Sequence, residues 1–87
     1  MTADEIDHEA ETPVYRQIAA LLIADIERGV LPVGRRIPSE SELVKRFGVA
    51  RDTARGAVRY LRDEGYVRTV PQRGSYVLER RRPTEGG

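Results

Sequence analysis

SESELVKRFGVARDTARGAVRYLRDEG, residues 39–65, reads as two short helices joined by a glycine turn. Ser39 followed by Glu42 is a capping box, in which the serine hydroxyl and the glutamate carboxylate satisfy each other's backbone N–H groups. It opens a helix with Leu43, Val44 and Phe47 apolar. Gly48 ends that helix, because only glycine enters the left-handed conformation of a helix terminus without a Cβ penalty. In the second helix Ala54, Ala57, Val58 and Leu61 fall at i, i+3, i+4 and i+7, an inward stripe. Its other side carries Arg51, Arg55, Arg59 and Arg62, at spacings of four, four and three. Helix, glycine turn, then a second helix with basic and polar residues near its start is the helix-turn-helix pattern, which points to DNA.

Working outward, Tyr15, Ile18, Ala19, Leu22 and Ile26 repeat at helical spacing ahead of this stretch. Thr12-Pro13 is read as their start, with Thr12 as N-cap and Pro13 at the first helical position, and Gly29 as their close. Pro32 and Gly34 mark a turn, and Arg35-Arg36-Ile37 is read as a short strand. After Gly65, Tyr66–Val70 and Ser75–Leu78 are β-prone around the turn Pro71-Gln72-Arg73-Gly74, a basic hairpin or wing. The expected fold is α+β, mainly α: a winged helix-turn-helix of three helices plus a C-terminal β-hairpin wing. Residues 1–11 are read as a disordered acidic leader, 12–78 as the domain, and 79–87 as a polar basic tail whose Arg80-Arg81-Arg82 run is chiefly solubilising. The expected core is Tyr15, Ile18, Leu22, Ile26, Leu43, Phe47, Val58, Leu61, Tyr66 and Val77.

Charge and composition limit the function classes. The whole chain of 87 residues carries a net charge of only +1. Residues 1–34 carry −5, however, and residues 35–82 carry +7, so a basic body follows an acidic leader. With no cysteine and a single histidine, His8 in the leader, nothing suggests a metal site, a cofactor or a nucleophile–base pair, and no enzyme is expected. No apolar run approaches the roughly 18 residues of a membrane span and no signal segment is visible, so a cytoplasmic, nucleoid-associated protein without a membrane partner is expected.

TPVYRQIA at 12–19, LPVGRRIPSESEL at 31–43, FGVARDTAR at 47–55, LRDEGYV at 61–67 and RGSYV at 73–77 together resemble the DNA-binding domain of the GntR family of bacterial transcription regulators. The resemblance implies a sequence-specific regulator, chiefly a repressor, with its recognition helix at about 50–63 in the major groove and a wing at 70–76. It also implies binding to double-stranded DNA on a two-fold operator as a homodimer, and a small-molecule effector domain that this chain has no room for.

Arg51 and Arg55 match the two family arginines that contact bases, and Thr53 a threonine on phosphate. Ser39 and Glu40 fall at the start of the preceding helix, near the DNA backbone, and Gly74 carries over the wing toward the minor groove. Three positions depart from the family pattern: Ala50 where an N-cap serine or threonine is usual, Ser41 where some members have an arginine, and Gln72 in place of a wing glycine.

The residues support part of this independently. A guanidinium fork matches guanine O6 and N7, and residues four apart share a helix face. Arg73, beside Gly74 and Ser75, can enter a groove or meet a phosphate. Asp52 either accepts from a cytosine amino group or serves the helix dipole, the second being favoured. Arg59 and Arg62 lie farther from the entry end and are left out of the expected site. Gly56 permits close approach either of DNA or of another helix, and the sequence does not decide which. The competing reading is a winged-helix module that docks protein with its arginines solvated, an RNA-binding wing being a lesser variant.

Overall fold

The computed structural model describes residues 6–79, in the order α1 (Val14–Glu27), α2 (Glu40–Phe47), α3 (Arg51–Asp63), β1 (Val67–Val70) and β2 (Gly74–Val77). The expected three helices and C-terminal hairpin are all present. The tail arginines Arg80, Arg81 and Arg82 lie outside the described residues.

The helices begin and end as local chemistry dictates, with one correction. Pro13, not Thr12, occupies the N-cap of α1, with ψ 149°. Its carbonyl accepts from the N–H groups of Arg16 and Gln17, and no side chain caps the helix. The Thr12 carbonyl is taken instead by the Gln17 side chain, whose Nε2 donates to it at 2.9 Å. At the other end, Gly29 (φ 81°) follows the last turn, and the Gly29 and Val30 N–H groups return to the carbonyls of Ile26 and Asp25. Those two bonds form a Schellman motif, which satisfies carbonyls the helix would otherwise leave open. Gly65 repeats it after α3, with bonds from Gly65 to Arg62 and from Tyr66 to Leu61, and delivers the chain into β1. The Ser39–Glu42 capping box and the left-handed Gly48 bound α2 as expected.

Residues 1–5 of the acidic leader lie outside the described part, but Ile6 to Glu11 are tied to α1. Gln17 accepts from the Asp7 N–H at 2.9 Å and donates to the Asp7 carbonyl at 2.8 Å, while Ile6 packs half-buried against the core. The aperiodic leader gave no hint of this, because a single helix side chain holds it.

Strands β1 and β2 are antiparallel, with Val67 opposite Val77 and Val70 opposite Gly74. The segment read as a strand at Arg35-Arg36-Ile37 forms only one bridge, Arg36 to Tyr76. Backbone bonds of 2.9 Å from Gly34 to Val77, Val77 to Arg35 and Ile37 to Ser75 lay it along β2. Pro38 has no N–H to extend the ladder, so the pairing stops there. This short seam matters for packing because it carries Ile37 into the core.

That core joins Ile18, Ala19 and Leu22 of α1, Leu43 and Phe47 of α2, and Ala54, Ala57 and Leu61 of α3, with Ile37, Val67 and Val77 closing it from the hairpin side. Of the expected core residues, Tyr15, Ile26, Val58 and Tyr66 are only half-buried at its margin. At about 1.5–3 kcal/mol for each large aliphatic side chain removed from water, this one cluster supplies the stabilisation that fixes α3 against α1 and the wing against both.

Candidate nucleic-acid interface

The capping box sets one edge of the site. The Ser39 N–H donates to Glu42 Oε1 at 2.7 Å and the Glu42 N–H donates to Ser39 Oγ at 3.1 Å. Those bonds hold the Glu42 carboxyl below its ordinary range, the backbone bond contributing most and then the Ser39 hydroxyl; desolvation opposes them, and the charges of Arg36 and Lys45 add lesser support. The Ser39 hydroxyl and N–H are therefore both engaged in capping, at a helix start where Ser39, Ser41 and Glu42 are exposed and Glu40 is half-buried.

On α3, Ala50 is the N-cap and offers no side-chain bond, so the open N–H groups and Asp52 stand at an uncapped positive helix end. Arg51 and Arg55 are exposed. Arg51 Nη2 lies 3.3 Å from Ser41 Oγ, and Arg55 is flanked by Glu40, 3.7 Å from its Nε, and Asp52, 3.4 Å from its Nη1. The contacts to Ser41 and Glu40 span the glycine turn, while that to Asp52 stays within α3. At such exposure they are worth about 1 kcal/mol or less each, so an incoming acceptor can replace them.

Strands β1 and β2 bring the wing against the same face. An open cleft is lined by Ser39, Glu40 and Ser41 from α2, by Arg55, Arg59 and Arg62 from α3, and by Thr69, Gln72, Gly74 and Ser75 from the hairpin. Arg59 and Arg62, left out of the site from sequence, thus line it; the helical spacing that separates them from Arg51 along the axis also turns them toward the wing. Arg73 is exposed in the loop between the strands.

Three of the expected residues are placed differently. Asp52 and Thr53 line a second cleft, between α1 and α3, with Pro13, Tyr15, Gly56 and Tyr60. Ser75 is buried, its Oγ 2.9 Å from Thr69 Oγ1, so its hydroxyl links the strands instead of standing free. Gly74 has its own reason to be glycine: with φ 120°, a Cβ there would stand 2.7 Å from Arg36 Cδ. Arg36 therefore lays its stem across the base of the wing, a contribution that its position in a linker did not signal. In the α1–α3 cleft the missing Cβ of Gly56 faces Tyr15 Cβ and Cγ at 3.5 Å, ordinary contact distance, so its neighbour there is a helix. Tyr60 beside it receives Arg16 over its ring at 4.4 Å and meets Tyr15 edge-on, centroids 6.5 Å apart.

Among the described residues no helix is long and apolar enough to cross a membrane. Residues 14–77 match the family model "Bacterial regulatory proteins, gntR family". The mannosyl-D-glycerate transport/metabolism system repressor MngR of Escherichia coli is 42% identical over 69 residues, which is 79% of this chain and 29% of that protein. The histidine utilization repressor of Pseudomonas aeruginosa is 34% identical, over 82% of this chain and 28% of its own length. The chain thus spans under a third of these curated relatives. Among solved structures, YtrA from Sulfolobus acidocaldarius, a GntR-family transcription factor, superposes with a TM-score of 0.82 at 38% identity, over 92% of this chain and 84% of its own. The DNA-binding domain of AraR in complex with operator ORX1 superposes with a TM-score of 0.77 at 29% identity, covering 85% of this chain and 95% of that one.

Proposed function

Because this chain belongs to the GntR family of bacterial regulatory proteins, we propose that it binds operator DNA and regulates transcription, as a repressor like the relatives named above. The helix α3 enters the major groove, and the wing meets the adjoining minor groove. Arg51 and Arg55 contact base edges. Thr53 meets a phosphate, Ser39 and Glu40 lie along the DNA backbone, and Arg73 and Gly74 carry the wing to the groove. Asp52 serves first as a dipole partner for the uncapped helix.

The observation that supports this reading most is the common cleft: the start of α2, the arginine side of α3 and the hairpin open onto one side of the molecule. An operator is bound by two copies related by two-fold symmetry, which joins two short readouts on one duplex and raises affinity through effective concentration. A protein with this role works in the cytoplasm, on the nucleoid.

Selection of bound fragments from random duplexes, followed by mobility shifts over a salt series, tests this. The expected result is a palindromic site whose affinity falls steeply with salt, since phosphate contacts release counterions. Failure to bind any duplex at low salt would overturn it in favour of a protein-docking module, and a selected site without two-fold symmetry would remove the pairing.

A further inference from the structure

We infer that Gln72 is a specificity-determining residue, reading a base edge in the minor groove with its carboxamide; this rests on the operator reading above. The hairpin loop is a tight turn in which the Arg73 N–H donates to the Val70 carbonyl at 3.0 Å. Pro71 supplies the second position, where its ring presets φ. The third position then takes a positive φ, 66° at Gln72. That is the pattern of a type II turn, whose third position favours glycine or asparagine. Gln72 is the one residue other than glycine with a positive φ among the described residues.

Beyond the turn's own bond from Arg73 to Val70, no side-chain hydrogen bond among the described residues supports that conformation. The Gln72 side chain is exposed and has no hydrogen bond among the described residues. It does lie on the wall of the cleft that holds Arg55, Arg59 and the start of α2. Strain held at an exposed tip, on the face turned to the ligand, is the signature of a side chain kept for what it touches.

The carboxamide differs from its neighbours in what it can read. The minor-groove edge of an A·T pair shows only acceptors, whereas a G·C pair adds the guanine amino donor. Arg73 has donors alone and cannot accept from that amino group. Gln72 both donates and accepts, so it can register whether the amino group is present.

The test replaces guanine by inosine, pair by pair, in the part of the selected operator that lies under the wing. This removes the minor-groove amino group and leaves the major-groove edge intact. Wild type should change affinity by about fivefold at one such pair, on the order of one hydrogen bond. Gln72→Gly should change by no more than about twofold there, with a raised thermal midpoint, and Gln72→Ala should lose the discrimination without that rise. Equal responses of wild type and Gln72→Gly at every pair, with operator binding intact, would overturn this inference alone. Absence of any duplex binding by wild type would overturn it together with the operator reading.

Discussion

Glu40, at the start of α2, reaches across the glycine turn to Arg55 of α3, its Oε1 3.7 Å from the guanidinium Nε. The contact engages the Nε edge of Arg55, and its Nη1 meets Asp52 at 3.4 Å. Exposed partners of this kind are weak, and the fork can exchange them for guanine O6 and N7.

Arg55→Ala is accordingly expected to weaken binding to the selected operator by about 1–3 kcal/mol and to relax base choice at one position. Arg62→Ala should do much less. Arg62 sits in the last turn of α3, beside Asp63 at 3.6 Å, and it lines the cleft without reaching the helix's entry end. Titration of both variants against the same duplex decides, and an Arg55→Ala protein with wild-type affinity would remove this residue from the readout.

Acid should loosen α2. The Glu42 carboxyl is held below its ordinary value of 4.5, chiefly by the Ser39 N–H. A carboxylate with a depressed folded pKa contributes stability above its unfolded pKa and loses it as pH falls through the folded value. Wild type should therefore melt higher than Glu42→Gln near neutrality, and the gap should narrow as the pH falls below 4.5. Melting curves at several pH values check this; a gap of constant size would mean that the ionised form adds nothing.

Ile18 is fully buried where α1 meets the rest of the core. Its truncation to alanine should cost about 2–5 kcal/mol through lost burial and a residual cavity. For a domain this small, with a total stability of about 5 kcal/mol, that is enough to unfold much of the population. Thermal denaturation of Ile18→Ala should show a large fall in midpoint or no cooperative transition. A midpoint within about 2 °C of wild type would contradict a packed α1 face.

What the sequence made legible was whatever is decided within one or two helical turns. Ser39 with Glu42, the left-handed glycines at 29, 48 and 65, and the stripe Ala54, Ala57 and Leu61 each carry their own signal, and the family resemblance placed them in one fold. The parts that were not legible depend on a partner distant in the chain. Ile37 stands alone between Arg36 and Pro38, and it becomes core only because its N–H reaches Ser75. Ser75, beside a wing arginine in sequence, is tied across the hairpin to Thr69, a pairing that depends on the strand register. Arg36 joined the wing only once Gly74 was seen to leave room for its stem. Gln72 was visible as a departure from the family pattern, but its positive φ could not be read before the turn was.

Gly56 gives the last prediction, because its cost and its neighbour are now both known. Glycine inside a helix is less favourable than alanine by about 1 kcal/mol, mostly through the freedom it has when unfolded. The substitution is useful only if the added methyl fits. At Gly56 an added Cβ would meet Tyr15 Cβ and Cγ at 3.5 Å, ordinary contact distance, and the backbone there is helical. Gly56→Ala should therefore raise stability by about 0.4–1 kcal/mol, which for a domain of this size raises the thermal midpoint by about 2–8 °C. Position 56 carries no side chain of its own and its missing Cβ faces Tyr15 of α1, so affinity for the operator should stay at the wild-type level. A larger side chain, as in Gly56→Leu, should push Tyr15 away and lower the midpoint. If Gly56→Ala melts lower than wild type, α1 and α3 pack more tightly than this spacing allows; if it melts higher but loses operator affinity, Gly56 faces the DNA after all.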